Sequence, residues 1–200
     1  MVDTGDIRNV VLLGHGGSGK TSLAEAMLHK TGATNRLGSV DDKTSICDYY
    51  DEEKAHQHSI LAAMVYVNHA GKLINVIDTP GYPDFIGPAI KTIPAAETAI
   101  LVISASAGIE TNTRKMFQLV TEANKPRIIV INKMDAENVI WPELIKNIQD
   151  TFGSQCRCAN LPAANRASVI DCIVNDGGDS PVMDVGQAHT ELIESVIEAD

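Results

Sequence analysis

The feature that most restricts this chain is the run Gly14-His15-Gly16-Gly17-Ser18-Gly19-Lys20-Thr21. It is a G-x-x-x-x-G-K-[ST] pattern set between an apolar stretch, Asn9–Leu13, and a helical period, Thr21–Lys30. Glycines let a backbone curl tightly enough for several N–H groups to converge on phosphate oxygens, and the N-terminus of the following helix adds a favourable dipole. Strand, glycine loop and helix in that order read as a β-to-α step, with Gly32 in the position that closes a helix. In this context Lys20 is expected to reach the β and γ phosphates of a nucleotide and the Thr21 hydroxyl to ligate Mg²⁺. A glycine turn that binds nothing requires neither Lys nor Thr at that place.

The remaining pattern alternates strands and helices. Thr34 to His58 is polar and weakly periodic, and a connection of that length is expected to be structureless and functional, a candidate switch. Ala63–Asn68 and Lys72–Asp78 read as antiparallel strands joined through His69-Ala70-Gly71. Pro80, Gly81, Pro83, Gly87, Pro88 and Pro94 leave only a short, broken helix over Asp84–Ala96. Thr98–Ser104 reads as a buried parallel strand, and Thr111–Asn124 as a helix with Met116, Leu119, Val120 and Ala123 on one face. Arg127–Asn132 is the next strand, and Pro142 opens a helix over Pro142–Phe152. The order predicts an α/β fold, a mostly parallel sheet with one antiparallel strand and helices on both faces. From Ser154 the pattern weakens to a strand over Ala167–Val174, a turn-rich loop over Asn175–Pro181 and an acidic amphipathic helix over Gln187–Ala199. The expected division is therefore a core over residues 1–153 and the start of an appended subdomain over 154–200.

Composition bounds the partners. The formal charge is −10 over 200 residues, with 2 basic and 8 acidic side chains in residues 151–200. That balance argues against a module whose whole surface clings to nucleic acid, and leaves room for a local RNA contact. Four cysteines with no C-x-x-C pair fit a reducing compartment better than a secreted scaffold, and the C-x-C of Cys156 and Cys158 lacks partners at zinc spacing. The N-terminus has no signal-type apolar run, and no stretch approaches the roughly 18 apolar residues of a membrane span. A soluble, cytoplasmic protein is expected.

Two further motifs sit at strand ends. Asp78-Thr79-Pro80-Gly81 suits a carboxylate that holds Mg²⁺ through water and a glycine N–H that meets a γ-phosphate; alone it is common punctuation, and the upstream loop gives it meaning. Asn132-Lys133-Met134-Asp135 chooses the base. A carboxylate there accepts from N1–H and the exocyclic amine of guanine, whereas adenine leaves it unpaired at a cost of about 1–3 kcal/mol.

Together these residues resemble the translational GTPases, most closely elongation factor G. DTPGYPDF at Asp78–Phe85 resembles that family's DTPGHVDF, LVISASAGIETNT resembles its VxxVxGVExQT, and INKMD, SVIDCIV and IEAD fit its nucleotide domain and insert. The resemblance implies a P-loop GTPase fold with three α/β/α layers, incomplete at the C-terminus, and Mg²⁺-dependent GTP hydrolysis coupled to movement of tRNA and mRNA on the ribosome. It implies GTP or GDP and Mg²⁺ as cofactors, and rRNA and ribosomal proteins as partners of the full-length factor. Membrane and DNA are not among the implied partners, and a monomer is expected. Residues carried over to the nucleotide are His15, Gly16, Gly17, Ser18, Gly19, Lys20, Thr21, Ser59, Asp78, Gly81, Asn132, Lys133 and Asp135. Thr21, Ser59 and Asp78 would hold the metal; Lys20, Gly81 and Tyr82 would serve the reaction.

The departures are specific. His56-Gln57-His58-Ser59-Ile60 stands where the family has R-G-I-T-I, so the Arg-Gly pair is lost and Ser59 supplies the hydroxyl. Gly17 falls where the family has an aspartate. Tyr82 replaces the histidine that orients the attacking water, a role that typically contributes about 10²–10⁴-fold, so slow turnover is expected. His15, His56 and His58 are possible substitutes or solvated loop histidines. No S-A-[KL] loop follows Asp135, so the chain reads as an N-terminal piece of a longer factor. A GTP-regulated ribosome-binding module with little or no hydrolysis remains the alternative, and an ATP-using kinase or ATPase a third reading.

Overall fold

The computed structural model describes residues 2–165 and 168–199, and they belong to two compact units, Met1–Met134 and Asp135–Asp200. The first unit is built on five strands: β1 (Ile7–Leu13), β2 (Ala63–His69), β3 (Lys72–Asp78), β4 (Thr98–Ser104) and β5 (Arg127–Asn132). They lie in the order β2-β3-β1-β4-β5, parallel throughout except for β2, which runs antiparallel to β3. The hairpin between them is a two-residue turn with Ala70 and Gly71 both at positive φ (48° and 76°), the geometry that matches strand twist. The expected α/β architecture, with one antiparallel strand, is the observed one.

Among the described residues of this unit the α-helices are α1 (Lys20–Lys30), α2 (Asp51–His56), α3 (Ile86–Thr92) and α4 (Thr111–Glu122). Strand alternation divides the core between the two faces of the sheet. Leu12, Val76, Ile100 and Val102 pack with Ala24 and Leu28 of α1, while Val11, Leu13, Ile77 and Ala99 pack with Ala89 of α3 and Met116 and Val120 of α4. α1 ends as its sequence demands: the Ala33 amide donates to the Leu28 carbonyl (2.9 Å) and the Gly32 amide to that of His29 (3.1 Å), a Schellman closure around Gly32.

The segment Thr34 to His58, expected to lack structure, contains α2. Its first turn is acidic and its last turn basic, as the helix dipole favours, and the Glu53 side chain reaches back to accept from the Tyr50 amide at 3.3 Å. The helix after β3 is broken as the prolines require, into two 3-10 turns, Pro83–Phe85 and Ile93–Ala95, flanking α3.

In the second unit α5 (Trp141–Phe152) carries Pro142 in its first turn and buries Trp141, Leu144, Ile148 and Phe152 along one face; β6 (Asn160–Pro162) pairs antiparallel with β7 (Val169–Asp171), and α6 spans Val185–Ala199. The strand expected over Ala167–Val174 is shorter. Ala167 lies outside the described residues, and after Asp171 the chain turns, because the Asp171 carboxylate accepts from the Ile173 amide (2.8 Å) and its carbonyl from the Asn175 amide (3.1 Å). Among the described residues no helix is long and apolar enough to cross a membrane.

The register is what positions the site. Leu12 pairs with Asp78, Leu13 with Leu101 and Ser104 with Asn132, so the carboxyl ends of β1, β3, β4 and β5 share one edge. From β1 the chain reaches β3 on one side and β4 on the other, the reversal of strand order outside which α/β folds hold ligands.

Candidate functional site

The loop from Gly14 to Gly19 leaves β1 at that edge and enters α1 at Lys20. Gly19 adopts φ 93° and backs onto Asn132 so closely that a Cβ would collide with its side-chain amide. That amide donates to the Ser18 carbonyl at 3.0 Å, joining residues 114 positions apart. The glycine loop and the end of β5 are thus one assembly. Lys20 is 5% exposed, and its ammonium donates to the carbonyls of Gly14 (3.2 Å) and His15 (2.8 Å). Burial pulls its pKa down to about 8, against the attraction of Asp78.

Beside the loop lies a cluster of oxygens. The Thr21 hydroxyl donates to Asp78 Oδ2 at 2.6 Å and stands 3.3 Å from the Ser59 hydroxyl, which donates to Asp48 Oδ1 at 2.7 Å. Both carboxyls are buried, and among the described residues Asp78 Oδ1 and Asp48 Oδ2 have no hydrogen-bond partner. Burial pushes Asp78 up to about 6, opposed by the Thr21 bond and Lys20; it raises Asp48 as well, opposed by the Ser59 bond. Two hydroxyls and two incompletely satisfied carboxyls form a hard-oxygen donor set that suits Mg²⁺. Asp48 was not legible as a site residue; the available signal was an acid in the switch segment, eleven positions before Ser59.

The segment after β3 crosses the same edge. The Thr79 hydroxyl donates to the Leu12 carbonyl at 2.6 Å, and the Asn112 amide of α4 donates to the Gly81 carbonyl at 2.8 Å. A Cβ on Gly81 would stand 2.6 Å from the His15 carbonyl and would also strike the Lys20 ammonium, so only glycine fits. The Tyr82 ring lies against the Gly16 backbone, 4.8 Å from the His58 ring, and His58 also meets Phe85 at 5.7 Å.

The three histidines differ. His15 is buried, its Nδ1 3.1 Å from the Thr113 hydroxyl and its Nε2 3.8 Å from Glu110, and burial lowers its pKa; it is a packed residue rather than a solvated one. His56 is exposed and stacks on His58 at 5.8 Å. His58 touches Tyr82, and its buried Nδ1 has no partner among the described residues. Gly17 lies within the loop, and Lys133 is exposed at φ 58°, turning the chain after β5. Asp135 is exposed and is the first residue of the second unit.

A glycine loop at a sheet edge, a lysine opening the helix that follows it, and hydroxyl and carboxyl oxygens beside it are the parts of a P-loop site, and with the sheet order they fit a P-loop GTPase fold of three α/β/α layers. Residues 5–199 match the family described as the elongation factor Tu GTP binding domain. An elongation factor G-like protein of Mycobacterium tuberculosis is 36% identical over 161 residues, covering 80% of this chain. The mitochondrial ribosome-releasing factor 2 of Drosophila virilis is 32% identical over 160 residues, again 80% of the chain. A solved structure from Thermus thermophilus superposes with a TM-score of 0.87 at 30% identity, over 97% of this chain and 32% of that one. The chain belongs to the elongation factor Tu GTP-binding domain family, that of the translational GTPases, and within it to the elongation factor G-like kind. It spans 22% of the length of each of the two relatives.

Proposed function

We propose that this domain binds GTP and GDP with Mg²⁺ and hydrolyses GTP as part of an elongation factor G-like protein acting on the ribosome. The observation that carries the reading is the contact of Thr21 with Asp78 and Ser59 beside the buried Lys20. His15, Gly16, Gly17, Ser18 and Gly19 offer backbone amides to the phosphates, and Lys20 exchanges its contacts with the Gly14 and His15 carbonyls for phosphate oxygens. Thr21, Ser59 and Asp78 hold Mg²⁺, with Asp48 adding a fourth oxygen group. Bound there, Mg²⁺ supplies neutralisation of charge at the β and γ phosphates. Gly81 presents its N–H to the γ-phosphate, Asn132 and Lys133 border the base, and Asp135 accepts from guanine.

Tyr82 stands where a water-orienting group is needed, and a phenol held against Gly16 is a weaker positioner than an imidazole. Hydrolysis is therefore slow without the ribosome. The names of the relatives, an elongation factor G-like protein and a mitochondrial ribosome-releasing factor, support a ribosomal partner for the whole factor; contact with rRNA and ribosomal proteins by a cytoplasmic monomer belongs to this reading. Residues 1–153 form the nucleotide core in this reading, and 154–200 begin the inserted subdomain.

Tyr82 also favours a second reading, a GTP-regulated ribosome-binding module with little hydrolysis. Single-turnover GTP hydrolysis with and without ribosomes, for the parent and Tyr82→His, separates the two. The enzyme reading expects ribosome-stimulated turnover that the histidine variant raises by about tenfold or more. No turnover above background in either protein, with GTP bound, supports the module instead.

A further inference from the structure

Glu25 is a fully buried acid on α1, one helical turn beyond Thr21. One of its oxygens, Oε1, accepts from the Ser45 hydroxyl (2.8 Å), the Ile46 amide (2.5 Å) and the Cys47 amide (3.3 Å). Gly38 approaches the same carboxyl so closely that a side chain there would collide with it. While Ser45 donates to Glu25, its oxygen accepts from the amides of Cys47 (3.1 Å) and Asp48 (3.2 Å). Asp48 then accepts from Ser59, and Ser59 stands beside Thr21.

These contacts close a ring. The path from Glu25 through Ser45, Asp48, Ser59 and Thr21 returns to the helix where it began, because Thr21 and Glu25 share one face of α1 at the i, i+4 spacing. The chain just beyond Ser59 has its own fastener: the carboxyl of Glu53, also buried, accepts from the Ile60 (2.9 Å) and Leu61 (3.1 Å) amides.

We propose that Glu25 is a positioning residue that fixes Asp48 in the cation site by anchoring residues 45–48 to the helix that carries Thr21. The inference rests on the reading of Thr21, Ser59, Asp48 and Asp78 as the Mg²⁺ site. A packing residue would merely lower stability, whereas a positioning residue changes how strongly Mg²⁺ strengthens nucleotide binding. Loss of Glu25 leaves the Ser45 hydroxyl and the Ile46 amide without their acceptor and the Cys47 amide with Ser45 alone, which loosens the Asp48 backbone while the phosphate loop and Lys20 keep their contacts.

The test uses the 200-residue chain, Glu25→Ala, Glu25→Gln and Ser45→Ala, with two readouts. The first is the rate of iodoacetamide labelling at Cys47 without nucleotide, located by peptide mass spectrometry, since Cys47 is 2% exposed and its amide is bonded to Glu25. The second is mant-GDP affinity across a Mg²⁺ titration and in EDTA. Glu25→Ala is expected to speed Cys47 labelling at least tenfold and to remove most of the Mg²⁺-dependent gain in affinity, with EDTA affinity unchanged within about twofold. Glu25→Gln keeps an acceptor oxygen and should track the parent, and Ser45→Ala should shift both readouts part of the way. Should Glu25→Ala fail to fold, Ser45→Ala decides: unchanged labelling and an unchanged Mg²⁺ gain overturn the proposal. A Glu25→Ala protein with exposed Cys47 and an intact Mg²⁺ gain overturns it equally. A parent that binds no mant-GDP overturns the nucleotide reading itself, an outcome distinct from a parent that binds while its variants match it.

Discussion

Thr21 and Asp78, 57 positions apart, meet at 2.6 Å with the hydroxyl donating to the carboxyl. The bond joins the first turn of α1 to the end of β3, and it leaves the other Asp78 oxygen buried without a partner among the described residues. Such a geometry is unfavourable for the chain alone and would suit a cation, so Asp78 is expected to respond both to pH and to Mg²⁺.

Asp78 titrates near 6 in the folded chain against an ordinary 3.8, because burial disfavours its charged form. A carboxyl raised in the folded state binds more protons there than in the unfolded chain between those two values. Stability in EDTA should therefore fall as pH rises from about 4 to about 6, by roughly 2–3 kcal/mol at most. Asp78→Asn should flatten that fall and lose the Mg²⁺-dependent part of nucleotide affinity. Urea unfolding from pH 4 to pH 7 in EDTA checks the first effect, and a Mg²⁺ titration of nucleotide binding the second.

Lys20→Met should weaken GTP and GDP binding by about 100-fold or more, since a charge-assisted phosphate contact disappears. The nucleotide-free chain should not lose stability, because burial already disfavours the ammonium and lowers its pKa to about 8. Calorimetric titration and thermal melting separate these effects. A large drop in melting temperature would show that the Gly14 and His15 carbonyls need that lysine for folding.

Gly19→Ala should destabilise the loop by about 2 kcal/mol or more, since the new methyl meets the Asn132 amide and φ is 93°. Asn132→Ala removes the obstacle along with the Ser18 contact. In a double-mutant cycle the two should cost less together than the sum of each alone. Strict additivity would show that the two residues do not touch in solution.

Asp135→Asn should weaken guanosine nucleotides by about 1–3 kcal/mol, because the amide presents a donor toward the base edge where an acceptor is needed. Competition of GDP and ADP against mant-GDP, in parent and variant, reads this directly. Unchanged affinity would remove Asp135 from the base contact.

Much of the fold was legible because its signals were local. β4 and β5 occupy the stretches their apolar runs mark, α1 closes at Gly32, and the prolines after Asp78 break the helix. The glycine loop and Asp78 were legible for the same reason: each follows a strand whose length fixes where its end falls. What was not legible depended on contacts between distant residues. Asp48, Glu25 and Glu53 look like ordinary surface acids in a charged sequence, and only burial against Ser59, Ser45 and the Ile60 amide gives them meaning. α2 was missed because six residues carry too little periodicity to register. The end of β7 was set by the Asp171 side chain rather than by loss of apolar pattern.

Every role assigned to these residues requires one magnesium-dependent guanine nucleotide site at the edge of the sheet. Titration of the chain into mant-GDP, with Mg²⁺ and with EDTA, followed by displacement with GTP and ATP, examines that site without intermediaries. Saturable binding is expected, strengthened at least tenfold by Mg²⁺ and displaced far more effectively by GTP than by ATP. Binding that is absent, indifferent to Mg²⁺, or displaced equally by ATP would contradict it.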